Sequence, residues 1–290
     1  MATRILQEVR QAVSQLNPQD VRNTAERPLA VRLVASSSAG YAAMEDFLSP
    51  PSFSRNKRWE QVQALCRAGD PGAPEEFDLE IYEAALPCPE HAFSCSLENP
   101  EWMLEAVLDR REELGLPLAR YFHPFRKPVV ERIISSVSRE NALFAIVTAL
   151  PNMVPGLIQL PWAVGELGSG TAFLTVNQIR MLFLLAAASD RPVGYREQRT
   201  EIASVIAGAF GWRALARELA GKIPLGAGLI PKAAIAFAGT YVVGVSMERF
   251  YRIGYGYTRQ ERRLAYEEAF QRGRRIASSL LDGLKQQRNT

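Results

Sequence analysis

Two long stretches of this chain are almost free of charge, and they constrain its fold more than any other feature. Between residues 141 and 189 the only charged side chains are Glu166 and Arg180, and between residues 223 and 247 the only one is Lys232. A helix on the surface of a soluble domain needs a polar face. Both segments therefore predict helices that are buried in protein, in lipid, or in both.

Lipid burial and protein burial make different demands on these segments. A membrane-spanning helix needs about 20 apolar residues, and prolines interrupt segment 141–189, so segment 223–247 is the better candidate. Within it Ala236, Thr240 and Gly244 recur at a spacing of four, which predicts a helix face that allows close packing in membranes. Tightly packed soluble helices carry the same pattern, so both environments stay open.

Glu166 and Arg180 stand alone in an apolar segment. Isolated charges in such surroundings are either paired or functional. We interpret them as a buried ion pair between neighbouring helices.

The rest of the chain divides near His123 and predicts an α+β protein. Residues 1–122 read as a small α/β domain that begins with an amphipathic helix rather than a signal peptide. Short apolar runs predict strands at 29–35, 77–82 and 92–97, and Trp59, Val62, Leu65 and Cys66 predict one face of a short helix. Residues 123–290 predict a helical domain that contains both apolar segments and ends in a basic helix.

The first predicted strand leads into a loop with the spacing of a phosphate-binding motif. Ala35 is followed by four residues, Gly40, Tyr41, Ala42 and a helix, which is the Walker A frame. In that motif a lysine and a serine or threonine contact phosphate and magnesium, and here Tyr41 and Ala42 stand in their places. We interpret this frame as degenerate or coincidental, and both interpretations predict no nucleotide hydrolysis.

Other groups of reactive residues are sparse. Cys88, His91 and Cys95 offer three soft ligands within eight residues, but a structural zinc site needs four. We therefore predict no metal, no cofactor and no catalytic residues.

Positive charge accumulates at the C-terminal end. Residues 249–290 hold ten lysines and arginines against four acidic residues. The basic helix predicts binding to anionic lipid head groups or to the acidic face of a partner, and a solvated face is the plain alternative. Because no basic groove interleaved with aromatic residues is evident, we expect no nucleic acid partner.

Residues 124–256 resemble the YcjF-type bacterial domain, a domain of unknown function found attached to or encoded near GTPases. The resemblance is carried by NQIRM at 177–181, AFGWR at 209–213 and IPLGAGLIPKAAIAFAGTY at 223–241. It implies association with the membrane and a GTPase as partner. It also implies that residues 35–42 stand where the phosphate loop of an attached GTPase domain would lie.

Together these features predict a non-catalytic scaffold or adaptor that has lost nucleotide hydrolysis. It would associate with the membrane or with a membrane protein complex at the cytoplasmic side of the bacterial inner membrane. One alternative is a soluble, cytoplasmic subunit of a homo- or hetero-oligomer. Another is a regulatory protein with residual nucleotide binding.

Overall fold

A computed structural model describes residues 13–14, 16–51, 54–149, 170–207 and 228–288 of the chain. Its described part holds a small parallel four-stranded sheet and a helical C-terminal part with one long apolar helix. The predicted α+β class is confirmed at this level.

The sheet is parallel throughout. Its strands are β1 (Val31–Val34), β2 (Leu65–Arg67), β3 (Leu79–Glu83) and β4 (Phe93–Cys95), in the order β2-β1-β3-β4. Buried Val31 and Leu33 alternate with half-buried Arg32 and Val34 along β1, because successive side chains of a strand point to opposite faces. The chain goes to one side of β1 for β2 and to the other side for β3. The carboxyl ends of β1 and β3 thus form the topological switch point, where doubly wound sheets bind ligands.

Short helices flank the strands in sequence. They are α1 (Pro18–Ala25), α2 (Ser38–Leu48), α3 (Arg55–Gln63), α4 (Glu101–Arg110), a 3-10 turn (Glu112–Leu114) and α5 (Gly115–Tyr121). Helix α2 begins directly after β1 because Ser37 caps it, accepting a hydrogen bond from the Gly40 amide.

The predicted apolar face of α3 was wrong. Trp59 is 65% exposed and Val62 is also exposed, whereas Gln61 is buried. The Gln61 amide donates to the Tyr121 carbonyl, and its oxygen accepts from the Ser49 hydroxyl, so burial leaves it satisfied. Leu65 and Cys66, predicted on the same helix face, belong instead to β2.

Four long helices form most of the described C-terminal part. They are α6 (His123–Val147), α7 (Gly170–Ala188), α8 (Leu229–Ile253) and α9 (Arg259–Arg288). Residues 199–207 are also helical. Parts of the two predicted apolar segments, 150–169 and 223–227, lie outside the described residues.

The contacts divide the chain into two compact units. The sheet unit comprises Asp20–Glu131 and Ala187–Pro192, and the helical unit comprises Met1–Gln19, Arg132–Ala186 and Val193–Thr290.

This division differs from the predicted domains 1–122 and 123–290. Within the sheet unit, Asp190 pairs with Lys57 at 2.8 Å and with Arg120 at 3.5 Å, which ties 187–192 to that unit. Within the helical unit, the Tyr195 hydroxyl donates to the Leu16 carbonyl at 2.6 Å.

Helices α8 and α9 form a hairpin with a closely packed interface. Ala233 and Phe237 of α8 share a buried cluster with Ala277 of α9, and Ala238 of α8 shares another with Ala269 of α9. A Cβ atom on Gly273 of α9 would lie 3.1 Å from the Ala234 Cα atom, so glycine permits this close approach. None of the α8 side chains from 233 to 251 is exposed.

Helix α8 is the one described helix that is long and apolar enough to cross a membrane. Half of its most apolar window is buried inside the protein. Core helices of soluble proteins meet the same criterion of length and composition, so this property alone does not separate a span from a core helix.

We predict that Gly244→Ala destabilises the protein while Gly239→Ala, in the same helix, does not. A Cβ atom on Gly244 would lie 2.8 Å from both Ile134 Cγ1 and Ile134 Cγ2, whereas nothing lies within 4 Å of one on Gly239. Overpacking costs about 1–3 kcal/mol. Replacement of a helical glycine by alanine, where there is space for the Cβ atom, stabilises the helix by about 0.5–1 kcal/mol.

Urea unfolding of the two variants measures the difference. Equal changes in the free energy of unfolding would contradict the packing of α6 against α8 at Gly244.

Candidate functional site

We call residues 35–40, which join β1 to α2 and include the first turn of α2, the loop after β1, and they lie at the switch point of the sheet. The Ser36 amide and the Ser36 hydroxyl both donate to Glu83 Oε2 at 2.7 Å, and Glu83 is the last residue of β3. A Cβ atom on Gly40 would lie 2.9 Å from Glu83 Oε1, so glycine lets the loop approach this carboxylate. The amide and the hydroxyl of Ser36 are thus both bonded to a carboxylate of the same chain.

The two hydrogen bonds from Ser36 favour the charged form of Glu83. They lower the pKa of this carboxyl group, the backbone amide contributing most. Phosphate-binding loops offer their backbone amides to an anionic ligand. Here an internal carboxylate accepts from the first of these amides, and its negative charge repels a phosphate at the same place.

Tyr41 and Ala42 stand at the positions of the Walker lysine and of the Walker serine or threonine. The Tyr41 ring lies under the guanidinium of Arg67, 5.4 Å from ring centroid to Cζ. Arg67 in turn holds Glu45 through two hydrogen bonds of 2.7 and 2.9 Å. Ala42 is exposed on α2. Neither position therefore carries the lysine or the serine or threonine that holds phosphate and magnesium in the Walker A motif.

A second site is a group of polar side chains in the helical unit, which we call the polar cluster. Its members are Glu140, Asn141, Asn177, Gln178, Arg180 and Thr240. They come from α6, α7 and α8, whose neighbouring residues are largely apolar.

Thr240 of α8 is the meeting point of the cluster. Its hydroxyl oxygen accepts from Asn141 Nδ2 at 2.7 Å and from Gln178 Nε2 at 3.2 Å. Asn177 Nδ2 donates to Asn141 Oδ1 at 2.9 Å. Asn141, Asn177 and Thr240 are each at most 2% exposed. One hydroxyl thus ties three helices together in a region from which water is excluded.

The charged end of the polar cluster is half-buried. Arg180 Nη2 lies 2.6 Å from Glu140 Oε2, and Arg180 Nε donates to Asn177 Oδ1 at 3.1 Å. The side chains of Arg180 and Glu140 are 20% and 22% exposed. The predicted partner of Arg180, Glu166, lies outside the described residues, so that pairing stays a prediction.

Sequence reasoning missed Glu140, Asn141 and both amides of α7. A usable signal was present, because Glu140 is the last charge before the apolar segment and Asn177-Gln178 is a pair of amides inside it. Buried amides in an apolar helix need partners, and the residues of α6 and α8 supply them.

The row of small residues on α8 faces these partners. Thr240 contacts the amides of α6 and α7, while Gly244 lies against Ile134 of α6 and Met181 of α7. Ala236 is 8% exposed. Thr240 and Gly244 of the row thus pack against helices of the same chain.

The three soft ligands are spread over different environments. Cys88 is exposed, His91 is 70% exposed, and Cys95 is buried in β4, where burial raises the pKa of its thiol. In the described part of the chain no group of three or more His, Cys, Asp or Glu side chains is placed to hold a metal ion.

We predict that Thr240→Val strongly destabilises the helical unit, although valine has nearly the same shape. The substitution removes the acceptor of Asn141 and Gln178, and each buried donor left unsatisfied costs about 1–3 kcal/mol. Thr148→Val is the matched control, because Thr148 is exposed just after the end of α6 and its hydroxyl donates to the Phe144 carbonyl one turn earlier in the chain.

The control should change the free energy of unfolding by no more than about 0.5 kcal/mol. Chemical denaturation of both variants gives the comparison. A Thr240→Val protein as stable as the control would mean that the polar cluster does not constrain the helices.

Comparisons with known proteins give no indication of function. No protein-family model, no curated protein and no solved structure matches this chain. The resemblance to the YcjF-type domain, and the GTPase partner that it implies, stay predictions.

Proposed function

We propose that this protein is a non-catalytic scaffold or adaptor that works at the cytoplasmic surface of a bacterial inner membrane or in a complex there. The observation that carries the proposal is the Glu83 carboxylate bound to the Ser36 amide in the loop after β1. In this proposal the loop is a degenerate phosphate loop. Its spacing, the parallel sheet and its position at the switch point support that origin, and Tyr41 and Ala42 account for the loss of hydrolysis.

Attachment through the protein surface fits the helical unit better than a span does. Helix α9 packs along α8 and carries charge throughout its length, including Arg272, which donates to the Tyr241 hydroxyl at 3.2 Å. If α8 crossed the bilayer with α9 still packed on it, these charges would enter hydrocarbon at a cost of several kcal/mol. We therefore propose that α8 is a core helix and that exposed residues contact the membrane.

Two alternatives make different demands. A soluble oligomeric subunit would use the same surface to bind copies of itself or a partner. A regulatory nucleotide-binding protein would need the Glu83 carboxylate to leave the loop. Calorimetric titration with GTP and ATP tests this second alternative, since a saturable heat of binding that Gly40→Val abolishes would support it.

We expect the full chain, expressed in bacterial cells, to sediment with membranes at low ionic strength and to leave them at high salt. About 1 M salt shortens the Debye length to about 3 Å, so attachment through surface charges is lost. Immunoblots of the pellet and supernatant after each wash give the measurement.

Two outcomes would overturn parts of the proposal. Retention through salt and alkaline carbonate, with release by detergent only, would mean that a segment spans the membrane. A chain that stays wholly soluble as a defined oligomer at low salt would favour the assembly subunit.

A further inference from the structure

The turn that joins α8 to α9, with the adjoining ends of both helices, is rich in arginine and is held by hydrogen bonds between its own residues. We call residues 249–264 the hairpin tip. Gly254 ends α8 with φ +87°, a conformation that favours glycine. The Thr258 amide donates to Glu261 Oε2 at 2.8 Å and the Glu261 amide donates to Thr258 Oγ1 at 3.3 Å, which is a capping box at the start of α9.

Arg249 fixes the turn from the side of α8. Its Nη1 atom lies 2.7 Å from Glu261 Oε1, and its guanidinium lies 5.1 Å from the Tyr255 ring centroid and 5.2 Å from that of Tyr257. The Thr258 amide and Arg249 lower the pKa of Glu261 to about 2. Glu261 therefore stays ionised at neutral pH and neutralises Arg249, which leaves the positive charge of the tip to its other arginines.

These other arginines point to an anionic partner. The hairpin tip holds five arginines against one glutamate. Arg252 and Arg263 form ion pairs within their own helices, at 63% and 68% side-chain exposure, where such pairs contribute little. Arg259 and Arg262 are exposed, and neither forms an ion pair with another described residue.

Apolar side chains are exposed in the same stretch of the chain. Three of the eight large hydrophobic side chains that the described chain exposes lie in the hairpin tip: Ile253 at 41%, Tyr255 at 60% and Leu264 at 60%. Arginines that hold lipid phosphates, beside a tyrosine and aliphatic side chains that enter the headgroup region, are the composition of an interfacial membrane contact. An acidic protein surface would match the charge but would leave Leu264 and Ile253 without a defined site.

We propose that the hairpin tip docks on an anionic lipid surface, with Tyr255, Leu264 and Ile253 in the headgroup region and Arg259 and Arg262 on lipid phosphates. This inference rests on the proposed function and names the partner at the membrane. It assigns attachment to one end of the α8–α9 hairpin rather than to the whole basic helix.

Co-sedimentation of the purified full chain with vesicles tests the inference. We expect binding to vesicles of phosphatidylcholine mixed with phosphatidylglycerol and little binding to phosphatidylcholine alone. Arg259→Gln/Arg262→Gln should lower the partition coefficient by about 30-fold, since each arginine near an anionic surface contributes about fivefold. Tyr255→Ser/Leu264→Ser should lower it as well, because insertion of apolar side chains adds to charge.

Matched control variants remove the same kinds of side chain, arginines and an exposed hydrophobic residue, from positions outside the hairpin tip. Arg274 and Arg275 are exposed on α9 outside the tip, and Trp102 is the most exposed large hydrophobic of the described residues, at 81%. Arg274→Gln/Arg275→Gln and Trp102→Ser should each leave binding nearly unchanged. Because all of these side chains are exposed, circular dichroism should show every variant folded.

The outcomes separate this inference from the proposed function. No binding to anionic vesicles, or equal losses in both arginine pairs, would overturn docking through the tip. If the chain nevertheless leaves cell membranes at high salt, its attachment is to a protein and the scaffold proposal stands. Vesicle binding by a chain that stays soluble in cells would instead contradict the proposed function.

Discussion

The need to satisfy polar groups inside an apolar core governs the helical part of this protein. Asn141, Asn177 and Thr240 are buried among helices whose other side chains are largely apolar, and their hydrogen bonds run from one helix to the next. A shift of α8 by one residue along α6 or α7 would break these bonds and move Gly244 away from Ile134. Hydrogen bonding and close packing therefore select the same register of the three helices.

The same principle explains why a chain with so few charges over these segments keeps Arg180 and Glu140. A single charge there would be costly, but the pair is held by amides on one side and reaches the solvent on the other. Helix α9 packs along another side of α8, and half of the most apolar window of α8 is buried within the protein.

Sequence patterns predicted the features that depend on local periodicity. The basic helix predicted at the C-terminal end is α9, and β1, β3 and β4 overlap the strands predicted at 29–35, 77–82 and 92–97. Features that depend on tertiary contacts could not be predicted from the sequence patterns. Leu65 and Cys66 of β2 read as part of a helix in the sequence. The burial of Gln61 depends on Ser49 and Tyr121, and the contact of Glu83 with the loop after β1 joins residues 47 positions apart. The row on α8 was visible in the sequence, but the side chains that it meets were not.

Disulfide trapping in membranes and in purified protein is the most direct test of the claim that α8 is a core helix covered by α9. Ala238→Cys and Ala269→Cys, introduced after replacement of the three native cysteines, place two thiols in one buried cluster. The control pairs Ala238→Cys with Glu268→Cys, on the exposed face of α9. We predict that mild oxidation cross-links the first pair in both preparations and leaves the control pair reduced. Failure of the first pair to cross-link in membranes, while a water-soluble maleimide labels the thiol introduced in α9, would contradict the account, because α9 would then lie apart from α8.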